Sequence, residues 1–211
     1  MLMTRRTIGW LAATLLSFAA LGAHAQAKAP EALIKEVSTD VLDAVKADKT
    51  IQAGDIRKVI ALVDQKVLPY VNFQRMTASA VGRYWRQATP EQQKRLQEEF
   101  KLLLVRTYSG ALSQVSAEQT VELKPMRSSP TDTEVVVRTE IKGKGDPIQL
   151  DYRLEKAGDS WKIYDVNVLG VWLVENYRNS FAQEIGANGI DGLIAKMAER
   201  NKSAAAGGAK S

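Results

Sequence analysis

Apolar residues recur with a helical period through the first half of the chain, then with a period of two, then with a helical period again. Residues 31–46 place Leu33, Ile34, Val37, Val41, Leu42 and Val45 on one stripe with charges opposite, the pattern of an amphipathic helix. Gly54-Asp55 opens a second helix carrying Ile56, Val59, Ile60, Val63 and Val67. It should stop near Leu68, because the residue before Pro69 is driven out of the helical region. A short helix is expected over 73–81. Thr89-Pro90-Glu91-Gln92 then supplies an N-cap Thr, Pro at the first helical position and Gln three residues after the cap. The helix behind it runs through Leu96, Phe100, Leu103, Leu104, Tyr108 and Leu112 to about Val115.

From residue 118 the period changes. A short strand is expected over 119–124, and a second over 133–141, where Val135, Val137 and Ile141 alternate with polar positions. A third carries Ile148, Leu150, Tyr152 and Leu154, and a fourth covers 161–169. In the fourth, Trp161 and Ile163 face inward before the pattern switches to Val166 and Val168, a slip that predicts a β-bulge near Asp165. Short Gly-bearing links at 142–146 and 157–160 make the last three strands an antiparallel meander. Helices over 171–185 and 190–202 close the domain. The first has an apolar face of Val171, Leu173, Val174, Tyr177 and Phe181, with Trp172 off it. The tail 203–211 has nothing to bury and is expected to be disordered. The fold class is therefore a single α+β domain over 26–202, a curved antiparallel four-stranded sheet packed by about six helices. The helices carry more apolar surface than the sheet can cover. Either helices pack on helices in a filled core, or the surplus lines a cavity between helices and sheet.

The N-terminus sets the compartment. Two arginines in residues 1–6, an apolar run from Ile8 to Leu21 and Ala23-His24-Ala25 make a secretory signal peptide over 1–25, cut before Gln26. The apolar run is shorter than the ~20 residues of a membrane span. Arg5-Arg6 leaves both the general and the twin-arginine export routes open. The leader takes Arg5 and Arg6 with it, so the formal net charge of +5 becomes +3, too mild for a nucleic-acid binder.

His24, the sole histidine, also leaves, and the chain has no Cys. That removes Cys and His nucleophile chemistry and the usual zinc ligands. Asp40, Asp43, Asp48, Asp55 and Asp64 are scattered along helices without a binding-loop spacing, and Gly143-Lys144-Gly145 is a turn between strands. Arg83-Tyr84-Trp85-Arg86 has the residue types of a base-stacking site. Its position between a short helix and a long one instead makes it a packed corner.

The stretches VLPYVNFQRMTASAVGRYWRQATPEQQKRLQEEFKLLLVRTYSGAL (67–112) and WKIYDVNVLGVWLVENYRNSFAQEI (161–185) resemble the MlaC, or toluene-tolerance, family. With the leader, the length and the element order, the likeness covers essentially the whole mature chain. It implies a soluble, monomeric periplasmic phospholipid carrier that works without cofactor, metal or nucleic acid. Such carriers move lipid between an outer-membrane lipoprotein complex (MlaA-like) and an inner-membrane transporter (MlaD-like), maintaining outer-membrane asymmetry. It also implies a cone-shaped, nuclear-transport-factor-like fold enclosing an apolar lipid cavity.

On that fold, the apolar faces assign wall positions to Val71, Phe73, Met76 and Val81 from the middle of the chain and to Leu103, Leu104, Tyr108 and Leu112 from the long helix. The sheet would add Val137, Leu150, Tyr152 and Val168, and the following helix Val171, Val174 and Tyr177. Arg83, Arg106 and Arg138 are the candidates for a phosphate headgroup, since guanidinium forks suit that geometry. Two other readings stay open. One is an envelope adaptor with no ligand. The other is an enzyme on the same scaffold, pairing Asp165 with Tyr84, Tyr108 or Tyr152 as acid and base.

Overall fold

The computed structural model describes residues 28–208 apart from Pro130; the expected leader lies outside them. Helix α1 (Pro30–Ala47) has Pro in its first turn, where no N–H is needed, and Glu31 near its N-terminus and Lys46 in its last turn, both favourable to the helix dipole. Asp48 stops it in extended geometry and caps the short α2 (Lys49–Gln52), accepting from Thr50 N at 2.9 Å. Asp55 caps α3 (Ile56–Leu62), accepting from Arg57 N at 3.1 Å. Where one continuous helix to Leu68 was expected, the chain widens into a π-helical turn over Val63–Val67. It then tightens into a 3₁₀ turn over Leu68–Tyr70, around Pro69.

Helix α4 (Phe73–Val81) has the bounds its pattern gave, capped by Asn72 and ended by Gly82 at φ 65. The next 3₁₀ turn (Gly82–Gln87) turns Tyr84 and Trp85 against the core and leaves Arg83 and Arg86 exposed. Helix α5 (Pro90–Tyr108) begins with the complete Thr89/Gln92 capping box. It ends earlier than expected, in a 3₁₀ stretch (Ser109–Gln114) containing Gly110, whose helix propensity is low.

The sheet is a single open antiparallel meander in the order β1-β2-β3-β4-β5: Thr120–Leu123, Glu134–Lys142, Ile148–Ala157, Ser160–Val168 and Val171–Trp172. It has five strands where four were expected, because Val171 and Trp172 form β5 rather than the first turn of the last helix. Leu169 (φ 51) and Gly170 (φ 90) turn the chain back on itself, and the β-favouring Val-Trp pair then meets Val168 and Asn167. Trp172 lies beneath the Arg153 guanidinium, 3.9 Å from ring centre to Cζ, which explains why it falls off the helical stripe.

The expected bulge is present. Arg153 pairs with Asp165 and Leu154 with Ile163, so Tyr164 is the extra residue. Helix α6 (Leu173–Gly208) is broken at Gly189, whose φ 74 and ψ 179 are not helical, so it packs as two segments. Its second segment passes the expected end near Lys202 through the good helix-forming Ala204–Ala206 to Gly208.

Two main cores result. One joins α4, α5 and α6 around Phe100, whose ring meets Tyr177 and Phe181 edge-on at 5.1 and 5.3 Å. The other packs α1 on the sheet through Leu33, Ile34 and Val37 against Val137, Leu154 and Ile163. A third, smaller cluster gathers Val45, Ile51, Val59, Leu62 and Val105.

Candidate functional site

The α1–sheet interface is not filled. A cavity of about 170 Å³ lies between them, lined from α1 by Ile34, Val37, Ser38, Val41, Leu42 and Val45. Leu150 and Tyr152 of β3, with Ile163 and Val166 of β4, form the opposite wall. Val67, Val71, Leu112 and Val115 close the sides.

The bulge makes the β4 wall. Ordinary alternation would put Ile163 and Asp165 on one face, but the extra Tyr164 brings Val166 in beside Ile163 and turns Asp165 to the far side. No lining residue is charged, and only Ser38 and Tyr152 carry side-chain polar atoms. Those two hydroxyls meet at 3.2 Å, so neither is left without a partner. Burial pushes the Tyr152 phenol above its usual pKa, keeping it neutral, with Ser38 and Thr139 pulling the other way. The lining offers no carboxylate, ammonium or guanidinium, and its two hydroxyls bond to each other, so what the cavity supplies is the exclusion of water from apolar surface.

Two other recesses are larger but of the wrong chemistry. One, about 260 Å³ on the outer face of the sheet, is lined by Arg127, Asp132, Glu134, Arg153 and Tyr164 with two valines. The other, about 320 Å³, lies between α5 and the end of α6 and is lined by Arg106, Thr107, Arg200 and Asn201. Charge, not volume, separates them from a hydrocarbon site.

Of the expected wall residues, Val71, Leu112, Leu150 and Tyr152 line this cavity. Val137 is buried in the α1–sheet core beside it, and Val168 is half-buried opposite Leu150. Val171 is exposed in β5. Met76, Val81, Leu103, Val174 and Tyr177 are buried in the α4–α5–α6 core, with Phe73 and Leu104 packed against it. Tyr108 is half-buried on the same side, and burial near Tyr177 raises its pKa. Leu103 and Tyr177 also border a shallow recess of about 110 Å³ with Glu184, Lys196 and Arg200.

None of the three arginines reaches the cavity. Arg83 is exposed and donates to its neighbour Tyr84 Oη at 3.0 Å. Arg106 lies in the α5–α6 recess with a buried, unpartnered Nε, and Arg138 is exposed on the opposite face of β2. The α1 stripe had been legible as a helix face, but nothing in its spacing said that it faced a cavity.

The acid–base pairing has no geometric basis. Asp165, 1 % exposed, accepts from Arg153 at 3.0 Å, Val166 N at 2.9 Å and Val174 N at 3.1 Å. Burial raises its pKa against those donors, but its partners are a guanidinium and two backbone amides, not a tyrosine. Tyr152 stands on the other face of the sheet. Asp165 is instead the anchor for the first turn of α6.

The fold and this site define a class: an α+β domain that shelters an apolar, uncharged chamber between one helix and an open antiparallel sheet. The chain belongs to the MlaC family, whose model, described as MlaC protein, matches residues 35–199. It is 27% identical over 185 residues to the toluene tolerance protein ttg2D of Pseudomonas putida, covering 84% of this chain and 86% of that one. It is 25% identical over 172 residues to the intermembrane phospholipid transport system binding protein MlaC of Haemophilus influenzae, covering 80% of each. Among solved structures it resembles the phospholipid-binding protein from Ralstonia solanacearum in complex with a phospholipid. There the TM-score is 0.79 and the identity 47%, over 83% of this chain and 98% of that one.

Proposed function

We propose that this chain is a periplasmic phospholipid carrier that holds acyl chains between α1 and the sheet, without chemistry, while moving lipid between inner- and outer-membrane complexes. The observation that carries the reading is the uncharged α1–sheet cavity, in a chain 47% identical to a protein solved with a phospholipid. The intermembrane transport named for the Haemophilus relative and the leader pattern of residues 1–25 support the compartment and the route. MlaD-like and MlaA-like proteins are the partners this reading assigns.

Exposing an acyl chain costs about 0.8 kcal/mol per CH₂, so a diacyl lipid needs a sheltered chamber to cross water. A void of 170 Å³ costs on the order of 4 kcal/mol, within the ~5–15 kcal/mol stability of a domain, whereas one of ~1,000 Å³ would exceed it. The chamber is also below the ~300–1,000 Å³ of ordinary ligand pockets. Acyl chains therefore enter by parting α1 from β3 and β4, and the walls close when they leave. Native mass spectrometry of protein purified from periplasm tests this: a bound phospholipid is expected. A lipid-free organic extract, with a melting temperature unchanged by added phospholipid, would overturn it.

A further inference from the structure

Among the described residues, the exposed large apolar side chains are Leu169, at 65%, and Val171, at 47%. They flank Gly170 in the two-residue turn between β4 and β5. Leu169 has φ 51 and Gly170 φ 90, the paired positive values of a hairpin turn that Asn-Gly, Asp-Gly or Gly-Gly ordinarily fills. A bulky leucine is an outlier in that region of backbone space. The turn is held by Leu169 N donating to Gln149 O at 3.1 Å and Gly170 N donating to Asn167 Oδ1 at 2.8 Å. Neither bond uses the Leu169 side chain, so nothing in local stability accounts for a leucine there. A strained residue that the fold itself does not require points to a task outside the fold.

Register places this tip. Thr120 lies opposite Lys142, Ile141 opposite Ile148 and Leu150 opposite Val168. The start of β1, the β2–β3 turn and the β4–β5 turn therefore share one end of the sheet. The last turn of α1 reaches the same end, where Lys46 Nζ donates to Gln119 O at 2.7 Å. At this end Leu112, Val115 and Leu150 of the lining are half-buried beside the buried Val45, whereas at the other end Ile34 and Ile163 are buried with Val71 half-buried beside them. Val168 shares a face with Leu150, so apolar surface runs from Tyr152 through Leu150 and Val168 to Leu169.

The charges around this mouth choose among occupants. Lys142 pairs with Glu122 at 2.6 Å, Lys144 with Glu118 at 2.9 Å and Lys46 with Asp43 at 3.8 Å. Cations that would draw the mouth to an anionic bilayer are neutralised on the protein itself. Two side chains are also far less apolar surface than the single acyl anchor that gives only marginal membrane binding.

We propose that the Leu169-Gly170-Val171 tip is a docking element that seats in an apolar-lined opening of a partner protein. It joins that opening to the cavity mouth, so that acyl chains pass without crossing water. The proposal rests on the carrier reading above.

Leu169→Asn tests it, because Asn suits positive φ and the two turn bonds are backbone donors that it retains. The mature chain is loaded with fluorescent phosphatidylethanolamine. Transfer is then followed to the purified soluble domain of the MlaD-like partner, to phosphatidylcholine vesicles, and to vesicles containing phosphatidylglycerol. Both Leu169→Asn and Val171→Thr are expected to keep the wild-type lipid content, Val171→Thr at the wild-type melting temperature and Leu169→Asn at or above it, since Asn relieves the strain. Transfer to the partner domain should fall about tenfold for Leu169→Asn, the effect of 1.4 kcal/mol lost from the docked state, with vesicle rates unchanged. A loaded Leu169→Asn that delivers lipid to the partner at wild-type speed overturns the tip proposal alone, as does a loss confined to vesicles, which would make the bilayer the occupant. A wild-type chain that takes up no lipid overturns the carrier reading, and this proposal with it.

Discussion

Asp165 and Val166 are neighbours with opposite surroundings, and one extra residue, Tyr164, separates their fates. Asp165 is buried against Arg153 and the first amides of α6, where its charge is matched by donors. Replacing it with Ala leaves Arg153 without its partner and frees the amide of Val174; we expect a loss of about 3 kcal/mol in urea unfolding. Val166 faces the apolar cavity, as does Val41 across it. Val41→Asp puts a carboxylate on that wall. Bound phospholipid measured by mass spectrometry should fall at least tenfold, while the half-buried site lets the fold persist. Glu118 illustrates the opposite regime, an exposed carboxyl held down to about 2 chiefly by the Lys144 ammonium. Because its folded pKa lies below 4.5, its contribution to stability is present above that pH and fades as pH falls toward 2. A carboxyl titration followed by NMR should show Glu118 titrating well below the ordinary carboxylate range. Lys144→Met should return it to the ordinary range.

At the scale of elements, legibility followed locality. The Thr89 capping box and the Asn72-capped α4 are written in adjacent residues, and both stand where the sequence places them. Thr89→Ala should cost about 1 kcal/mol in chemical denaturation, the usual worth of an N-cap. The last helix was harder to read. Val171 and Trp172 satisfy either a helix or a strand, and the turn at Leu169-Gly170 decides between them by delivering the chain antiparallel to β4. Gly189 likewise separates the two halves of α6 through a conformation, φ 74 and ψ 179, that is essentially closed to residues with a Cβ. No neighbour blocks a Cβ there, so strain alone would act. We expect Gly189→Ala to destabilise by about 1–3 kcal/mol. Amide exchange should be faster in the segment after residue 189.

For the whole molecule, the decisive division is between a closed core and a yielding one. The α4–α5–α6 core interlocks three aromatic rings around Phe100, whereas α1 meets the sheet across a chamber, with the Ser38–Tyr152 bond among its few polar ties. On the carrier reading α1 is the wall that moves. Phospholipid loading should raise the melting temperature and slow amide exchange most in α1 and in β3 and β4 opposite it. Equal protection in α4 and α5 would place the lipid in the other core and refute this assignment.

The sequence by itself determined the order of the main elements, the bulge, the Thr89 capping box and the exclusion of Cys and His chemistry from the chain after residue 25. These depend on contacts a few residues apart or on composition. It also carried the family, through the stretches 67–112 and 161–185. Only the tertiary structure decided which apolar stripe lines a cavity and which fills a core. The apolar faces assign Met76 to the wall and Val37 only to a helix stripe, yet Met76 packs in Phe100's cluster and Val37 faces the chamber. That distinction depends on which surfaces meet and how completely they fill the space between them, and a helical period records burial without recording its partner.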